Sequence, residues 1–376
     1  MERNARIGWI DEFKGFVLLL VCLFHIEQSF SNAPMGMLHL SALRMSAFFF
    51  ISGMLFSTRR FGNFRDYFVH KTKVLLFPYI SLSLLFLLLD PVLYNFDLFA
   101  KAPRMSVMNV YPEIRNVGDY IFWNLAKIFV AGKSSIGSGP LWFVFTLYSV
   151  SLLFYLVQKV LSKVPMAWEK ILVAGVAVLS LASGWVMYRN HVRLPLGLER
   201  DLTVLFFFAC GWLSKDAVKA LSAKETVSRW FLPVAVTMFV LYALVERPDP
   251  YFSIMNNDLG KSFAVFFLSS VFGIVGLVST FLWVERFPNT GAVGFIKGVL
   301  RNISRNALVI LAVHWWILLV MRLTFRAEIN KPGLAYLLFF VVVLGTSLAI
   351  PLFRCWLYWL LGKKQATFRE CFSLSE

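Results

Sequence analysis

The chain has 376 residues, 59% of them hydrophobic and only 15% charged, with a mean hydropathy of +0.69. Soluble domains run at about 45–50% apolar and about 25% charged, so an ordinary soluble enzyme is excluded, and so is a disordered chain, which lacks the apolar surface to fold. The formal charge is nonetheless +16, from 37 Lys and Arg against 21 Asp and Glu, and where those cations sit decides between a nucleic-acid partner and membrane-facing loops.

A bilayer span takes about 20 apolar residues. Segments of that kind fall at 15–32, 42–58, 74–94, 140–158, 171–188, 201–214, 230–245, 262–284, 306–324 and 333–361. Segment 117–131 carries Asp119 and Lys127 and reads as an amphipathic helix lying at the interface. Assigning the loops alternately to two sides puts 22 Lys and Arg on the side that holds both termini and 13 on the other. The positive-inside rule makes the first side cytoplasmic, and nucleic acid drops out. The predicted fold is therefore all-α: a polytopic membrane helical bundle of about ten transmembrane helices, both termini cytoplasmic. It forms a single integral domain over 1–376, with the outside loop 95–139 as its largest extramembrane segment. The first apolar run ends in Ser31-Asn32-Ala33-Pro34, not a cleavage pattern, so it reads as a retained helix. Cys22, Cys210, Cys355 and Cys371 avoid the outside loops, which predicts no disulfide framework. No CxxC or HExxH spacing is present, and no metal is expected.

Ionisable residues inside spans are costly and mark function by default. Lys14 and His25 are eleven residues apart, three helical turns plus about 20°, so they share one face of the first helix. The rise of about 16 Å puts Lys14 at the cytoplasmic mouth and His25 near the middle of the membrane. The plain alternative for His25 is a core histidine bonded to another helix. In the second span Arg44 stands near the outer mouth, where it can snorkel, and Ser52-Gly53 offers a small surface for close helix contact. Arg59, Arg60, Arg65, His70, Lys71 and Lys73 crowd the next cytoplasmic loop. They fit the topology signal and anionic lipid, or the phosphates of an anionic donor. Trp142 opens the fourth span at the outer interface, an aromatic-belt position. His314 lies within the ninth span, before Trp315-Trp316, where a packing role is the plain reading.

These stretches resemble a family. WIDEFKGFVLLLVCLFH, with Asp11, Lys14, Gly15 and His25, is similar to the first-helix signature of the acyltransferase 3 family of integral membrane acyltransferases. MSAFFFISGMLF (45–56) resembles its second-helix segment, closest to the fucose O-acetylase-like branch. KTKVLLFPY (71–79), GPLWFVFTLYS (139–149) and SRNALVILAVHWW (304–316) resemble later segments in the same order. The chain departs from the branch in carrying Arg44-Met45-Ser46 where His-Met-Pro is common, with His39 in the outer loop. The registers His70-x-x-Lys73 and Lys71-x-x-Val74 compete, so Lys71 and Lys73 are taken as a charged group.

The resemblance implies transfer of an acyl group, usually acetyl, from cytoplasmic acetyl-CoA to a hydroxyl of an extracytoplasmic or lipid-linked glycan, in a bacterial inner membrane. His25 would take the hydroxyl proton, and Arg44 or Ser52 would stabilise the oxyanion. Lys14, Arg59, Arg60, Lys71 and Lys73 would hold the donor phosphates, and Trp142 and His314 would contact the acceptor. Beyond the glycan acceptor and membrane lipids no partner is implied. A multi-pass transporter or exporter is the competing class, since embedded His and Arg also suit it; the sequence carries no inverted repeat.

Overall fold

A computed structural model describes residues 8–30, 35–95, 107–135, 137–222, 229–248, 251–325 and 332–367. Residues 31–32 of the first predicted span, 96–106 and 136 of the outer loop, and both chain termini lie outside the described residues. Those described are almost entirely helical, and their extended pairing is confined to two isolated bridges, Val107–Val110 and Ser253–Asp258. In chain order the helices are α1 Gly8–Ser29, α2 Ser41–Met54, α3 Phe64–Lys71, α4 Phe77–Asn95, α5 Val117–Phe129, α6 Trp142–Leu161, α7 Met166–Arg189, α8 Leu198–Ser222, α9 Phe231–Glu246, α10 Phe263–Val284, α11 Gly291–Arg305, α12 Ala307–Phe325 and α13 Pro332–Cys355.

Among the described residues, six segments are long and apolar enough to cross a bilayer: Met37–Met54, Phe64–Asp90, Gly139–Leu161, Trp168–Arg189, Phe263–Val284 and Tyr336–Cys355. The pair α11 and α12, bent by 88°, would make a seventh. A π-helical turn, Thr72–Leu76, joins α3 to α4 into one continuous rod. α9 is apolar but has only 16 residues. α1 begins earlier than its apolar run because its charges are matched inside the protein. Arg301 of α11 donates from Nε and Nη2 to Glu12 Oε1 at 2.9 and 2.6 Å, and Ser304 donates to Asp11 at 3.2 Å.

The centre of the bundle is α2, packed against α8 and α10, with α6 and α1 beside them. The helices at the edge, α7 and α13, leave Val178, Leu179, Phe340, Leu344 and Leu348 exposed, a surface suited to lipid. α2 and α8 touch backbone to backbone: a Cβ on Gly53 would overlap the Phe208 carbonyl, and one on Gly211 would overlap that of Phe50. Gly15 allows the same approach of α1 to the Leu300 carbonyl of α11.

Two segments between the predicted spans have structure of their own. Stretch 285–305, read as a loop, contains α11, which exposes Phe295 and Ile296 in the manner of a helix lying at a membrane surface. Segment 117–131, read as an amphipathic helix, holds α5, which buries Tyr120, Asn124 and Ile128 along one stripe. The chain after it turns inward, so that Ala131, Gly132, Ser134, Ser135 and Ser138 are buried among the helices. Tyr79 anchors this segment by donating to the Ile128 and Lys133 carbonyls at 3.0 and 2.8 Å. Cys22 and Cys210 carry free thiols. Cys355 is disulfide-bonded, against the expectation of none.

Candidate active site

α1 and α12 run side by side, with Ile26 and Phe30 packed among Leu318 and Met321. That register brings His25 against His314, ring centroids 5.4 Å apart. Trp315 closes on His25 edge to face at 5.0 Å. Each imidazole is fixed by a neighbour in its own helix. His25 Nδ1 faces Gln28 Oε1 at 3.2 Å, and an amide oxygen only accepts, so Nδ1 holds the proton and Nε2 is left basic. His314 Nδ1 donates to the Ile310 carbonyl at 2.6 Å, which makes Nε2 the acceptor nitrogen of the neutral ring. That Nε2 is buried and has no hydrogen-bond partner among the described residues. In their neutral forms the two imidazoles would each present Nε2 as the basic nitrogen. His25 is half-buried and His314 is fully buried, so His25 is the more accessible of the two.

Arg44 enters from α2. It is buried, its guanidinium lies 4.0 Å from the centre of the Phe24 ring, and Nη1 donates to the Met37 carbonyl. Its charge is close enough to act on the His25 ring. The short outer turn that it holds is fastened twice more: Glu27 accepts from the Met37 N–H at 2.7 Å, and Tyr242 donates to the His39 carbonyl at 2.5 Å. His39 itself turns to Glu246 at 3.0 Å. Arg44 is thus buried within the protein, between Phe24 and the Met37 carbonyl.

The turn before Trp142 packs on Trp315. A Cβ on Gly139 would meet the Trp315 ring at 3.0 Å, so the Gly139-Pro140-Leu141 turn that leads into Trp142 is pressed against the indole beside His25. Ser134 sets this turn, accepting from the Trp142 N–H at 3.1 Å and donating to the Gly139 carbonyl. Trp316 stacks on Phe86 of α4 at 5.7 Å, which fixes the depth of the pair.

Of the residues singled out in the sequence, His25, Arg44 and His314 therefore gather around one place, and Trp142 follows the turn that packs on Trp315 beside them. Ser52 does not join them. It stands two turns along α2 from Arg44, and its hydroxyl donates to the Phe48 carbonyl at 2.8 Å. Lys14 lies three turns down α1 from His25, 3.8 Å from Asp11. Arg59, Arg60 and Lys73 are exposed at and beyond the far end of α2. Lys71 packs over the Tyr67 ring at 5.4 Å, and Tyr67 in turn stacks on Tyr155 at 4.6 Å. α3 and the π-helical turn rest on α6 whereas α1 rests on α11, so Lys14 and the 59–73 cations are held by separate parts of the bundle. Sequence reasoning missed Gln28 and Trp315 as partners of His25. The spacing His25-x-x-Gln28 places both on one helix face and was the available signal. The pairing of His25 with His314 has no local signal at all. Among the described residues no group of three or more His, Cys, Asp or Glu is arranged to hold a metal ion.

A family model described as an acyltransferase domain matches residues 7–353. No curated protein and no solved structure matches the chain.

Proposed function

Because the chain belongs to the acyltransferase 3 family and is an integral membrane acyltransferase, we propose that it moves an acetyl group from cytoplasmic acetyl-CoA to a hydroxyl of an extracytoplasmic or lipid-linked glycan, in a bacterial inner membrane. The observation that carries this reading is the pairing of His25 with His314 beside a buried arginine. A hydroxyl is a poor nucleophile, and a base must take its proton as it attacks the thioester carbonyl. His25 Nε2 serves as that base and holds the proton while the C–O bond forms. His314 Nε2 accepts a hydrogen bond from the acceptor and orients it. Arg44 supplies positive charge for the oxyanion. As the C–S bond breaks, the proton held on His25 passes to the departing thiolate, which leaves both imidazoles as they began. Lys14, Arg59, Arg60, Lys71 and Lys73 offer charge-assisted hydrogen bonds to donor phosphates, and Trp142 offers an aromatic face to a sugar.

The test is the purified protein in detergent, supplied with radiolabelled acetyl-CoA. Release of free coenzyme A, or transfer of label, is expected from the wild type and not from His25→Ala at equal protein level. Full activity in that variant would remove His25 from the mechanism. No thioester chemistry in the wild type, with solute flux only in sealed vesicles, would replace the enzyme by a transporter.

A further inference from the structure

A second polar cluster is joined to the histidine pair through the Gly139–Trp142 turn, which packs on Trp315 at one end and presents Trp142 to Arg200 at the other, and it has no part in the reaction above. Arg200, in the first turn of α8, is 1% exposed. Its Nη2 donates to the Gly132 and Leu196 carbonyls at 3.2 and 3.3 Å, which ties two outer turns together. The rest of the guanidinium is not used in this way. Nη1 has no hydrogen-bond partner among the described residues, and neither has Nε, which stands 3.6 Å from Asp201 Oδ1. The group lies 5.5 Å from the centre of the Trp142 ring.

Beside it, Lys133 Nζ reaches, among the described residues, only an amide oxygen, that of Asn256 at 3.0 Å. Burial first, then the charges of Arg200, Lys127 and Arg193, pull the Lys133 ammonium down to about 8, and only Glu199 opposes them. Arg193 is matched by Glu199 at 3.9 Å, and the other oxygen of Glu199 accepts from the Leu194 N–H at 3.0 Å. Asp201 answers the charge of Arg200 and Glu199 that of Arg193, so the excess positive charge falls on Lys133, while Arg200 Nη1 is left without a hydrogen-bond partner among the described residues. Lys133 and Arg193 are half-buried, so the cluster is open on the side where α6 and α8 begin. A planar donor fork with empty positions beside an unmatched ammonium is suited to a group with two or more oxygens and a negative charge. If Arg200 served only to pin the Gly132 and Leu196 turns, Nη2 alone would suffice.

The geometry points to an anion subsite formed by Arg200 and Lys133 against Trp142, which holds a carboxylate or phosphate of the acceptor, so that the glycan acylated at His25 is an acidic one. This assignment rests on the acyltransferase reading of the same site and names its substrate class.

The experiment measures equilibrium binding to purified protein in detergent, without donor, by tryptophan fluorescence and thermal shift at matched ionic strength. The probes are sodium glucuronate, inorganic phosphate and, as the neutral control, glucose. Glucuronate, phosphate or both should bind, and glucose should not. Arg200→Gln should weaken the bound anion tenfold or more, but this variant also unties two turns. Lys133→Gln gives up a single contact to Asn256 and should also weaken binding about tenfold. Preference for glucuronate assigns a carboxylate sugar, and preference for phosphate assigns a phosphorylated or phosphate-linked one. No anion binding in the wild type, or equal binding in Lys133→Gln, overturns the subsite. Because no thioester is present, that failure is separate from any result with His25→Ala.

Discussion

At the scale of the residue, the chemistry turns on which nitrogen of each imidazole is free. The Ile310 carbonyl accepts from His314 Nδ1, so the proton cannot move to that side and Nε2 stays a bare acceptor next to His25. If His314 orients the acceptor through a second of its hydroxyls, replacing it by Phe keeps a ring of similar volume and removes the nitrogen that accepts the bond. We expect His314→Phe to raise the KM for the acceptor or lower kcat by about 10–100-fold, the size of one lost buried hydrogen bond, with the donor KM unchanged. Steady-state kinetics against both substrates would show the split; unchanged acceptor kinetics would leave His314 as a packing group. His25 was legible from sequence because an ionisable residue in an apolar run stands out, and because its helical phase with Lys14 can be computed. His314 stood out equally, but its meaning did not: a lone histidine acquires a role only when another chain segment meets it, and the register of α1 on α12 is set by Ile26, Phe30, Leu318 and Met321, whose spacing says nothing about one another. Arg200 was hidden differently. Counted as one of the outer-loop cations, it explained topology, and only its burial removes that explanation.

At the scale of the element, the small residues in the motifs work through backbone contact. Gly53 ends the Phe48–Gly53 segment and is the place where α2 crosses α8, and Gly15 is the place where α1 crosses α11. The expectation that Ser52-Gly53 provides a close helix contact is met by the glycine, and the serine closes back on its own helix. A single methyl group tests the crossing. Gly53→Ala would drive Cβ into the Phe208 carbonyl, and because this obstacle is backbone, α2 and α8 must part. Overpacking of this kind costs about 1–3 kcal/mol or more. Gly175, in the interior of α7, has nothing within 4 Å of the same added atom. There the exchange should be neutral or stabilising by up to ~1 kcal/mol through helix propensity. Melting temperatures of the two variants in one detergent should move in opposite directions, or Gly53→Ala alone should fall. Equal behaviour would mean that the crossing is looser than these contacts require. The outer segment 131–140 was the element least legible in advance. Its serines and glycines have the composition of an exposed loop, and what buries them is the polar network of Tyr79, Ser134 and Arg200, which composition does not display. α11 was missed for a related reason: its apolar residues are interleaved with Lys297, Arg301 and Arg305, and an average over the stretch shows only a basic loop.

At the scale of the whole molecule, the candidate groups lie at two ends of one helix. Arg44 begins α2 beside the histidine pair, and the chain leaves α2 at Met54 on the way to Arg59 and Arg60. Ten helical residues separate Arg44 from Met54, a rise of about 15 Å, so the cations and the imidazoles cannot grip the same small molecule. A donor bound by both must be long, with phosphates at one end and the reactive carbonyl at the other, as acyl-coenzyme A is. The continuous rod of α3 and α4 keeps the basic end rigid. Its π-helical turn follows Lys71 directly, and turns of that kind recur at functional sites, while Thr72 is tied to the Tyr148 hydroxyl at 3.1 Å. This separation makes a two-sided prediction. Reversing the charge in Lys71→Glu/Lys73→Glu should raise the donor KM by 10-fold or more, since each charge-assisted contact to phosphate is worth roughly 1.5–3 kcal/mol, and should leave the acceptor KM in place. The effect on the donor should shrink as salt is raised, because exposed charges are screened within about 10 Å at 0.1 M. Bisubstrate kinetics at two ionic strengths measure all of this. A donor KM that does not move would transfer the phosphate site from α3 to the other end of α1, where Lys14 stands beside Asp11. A shift in the acceptor KM instead would reverse the two faces of the protein.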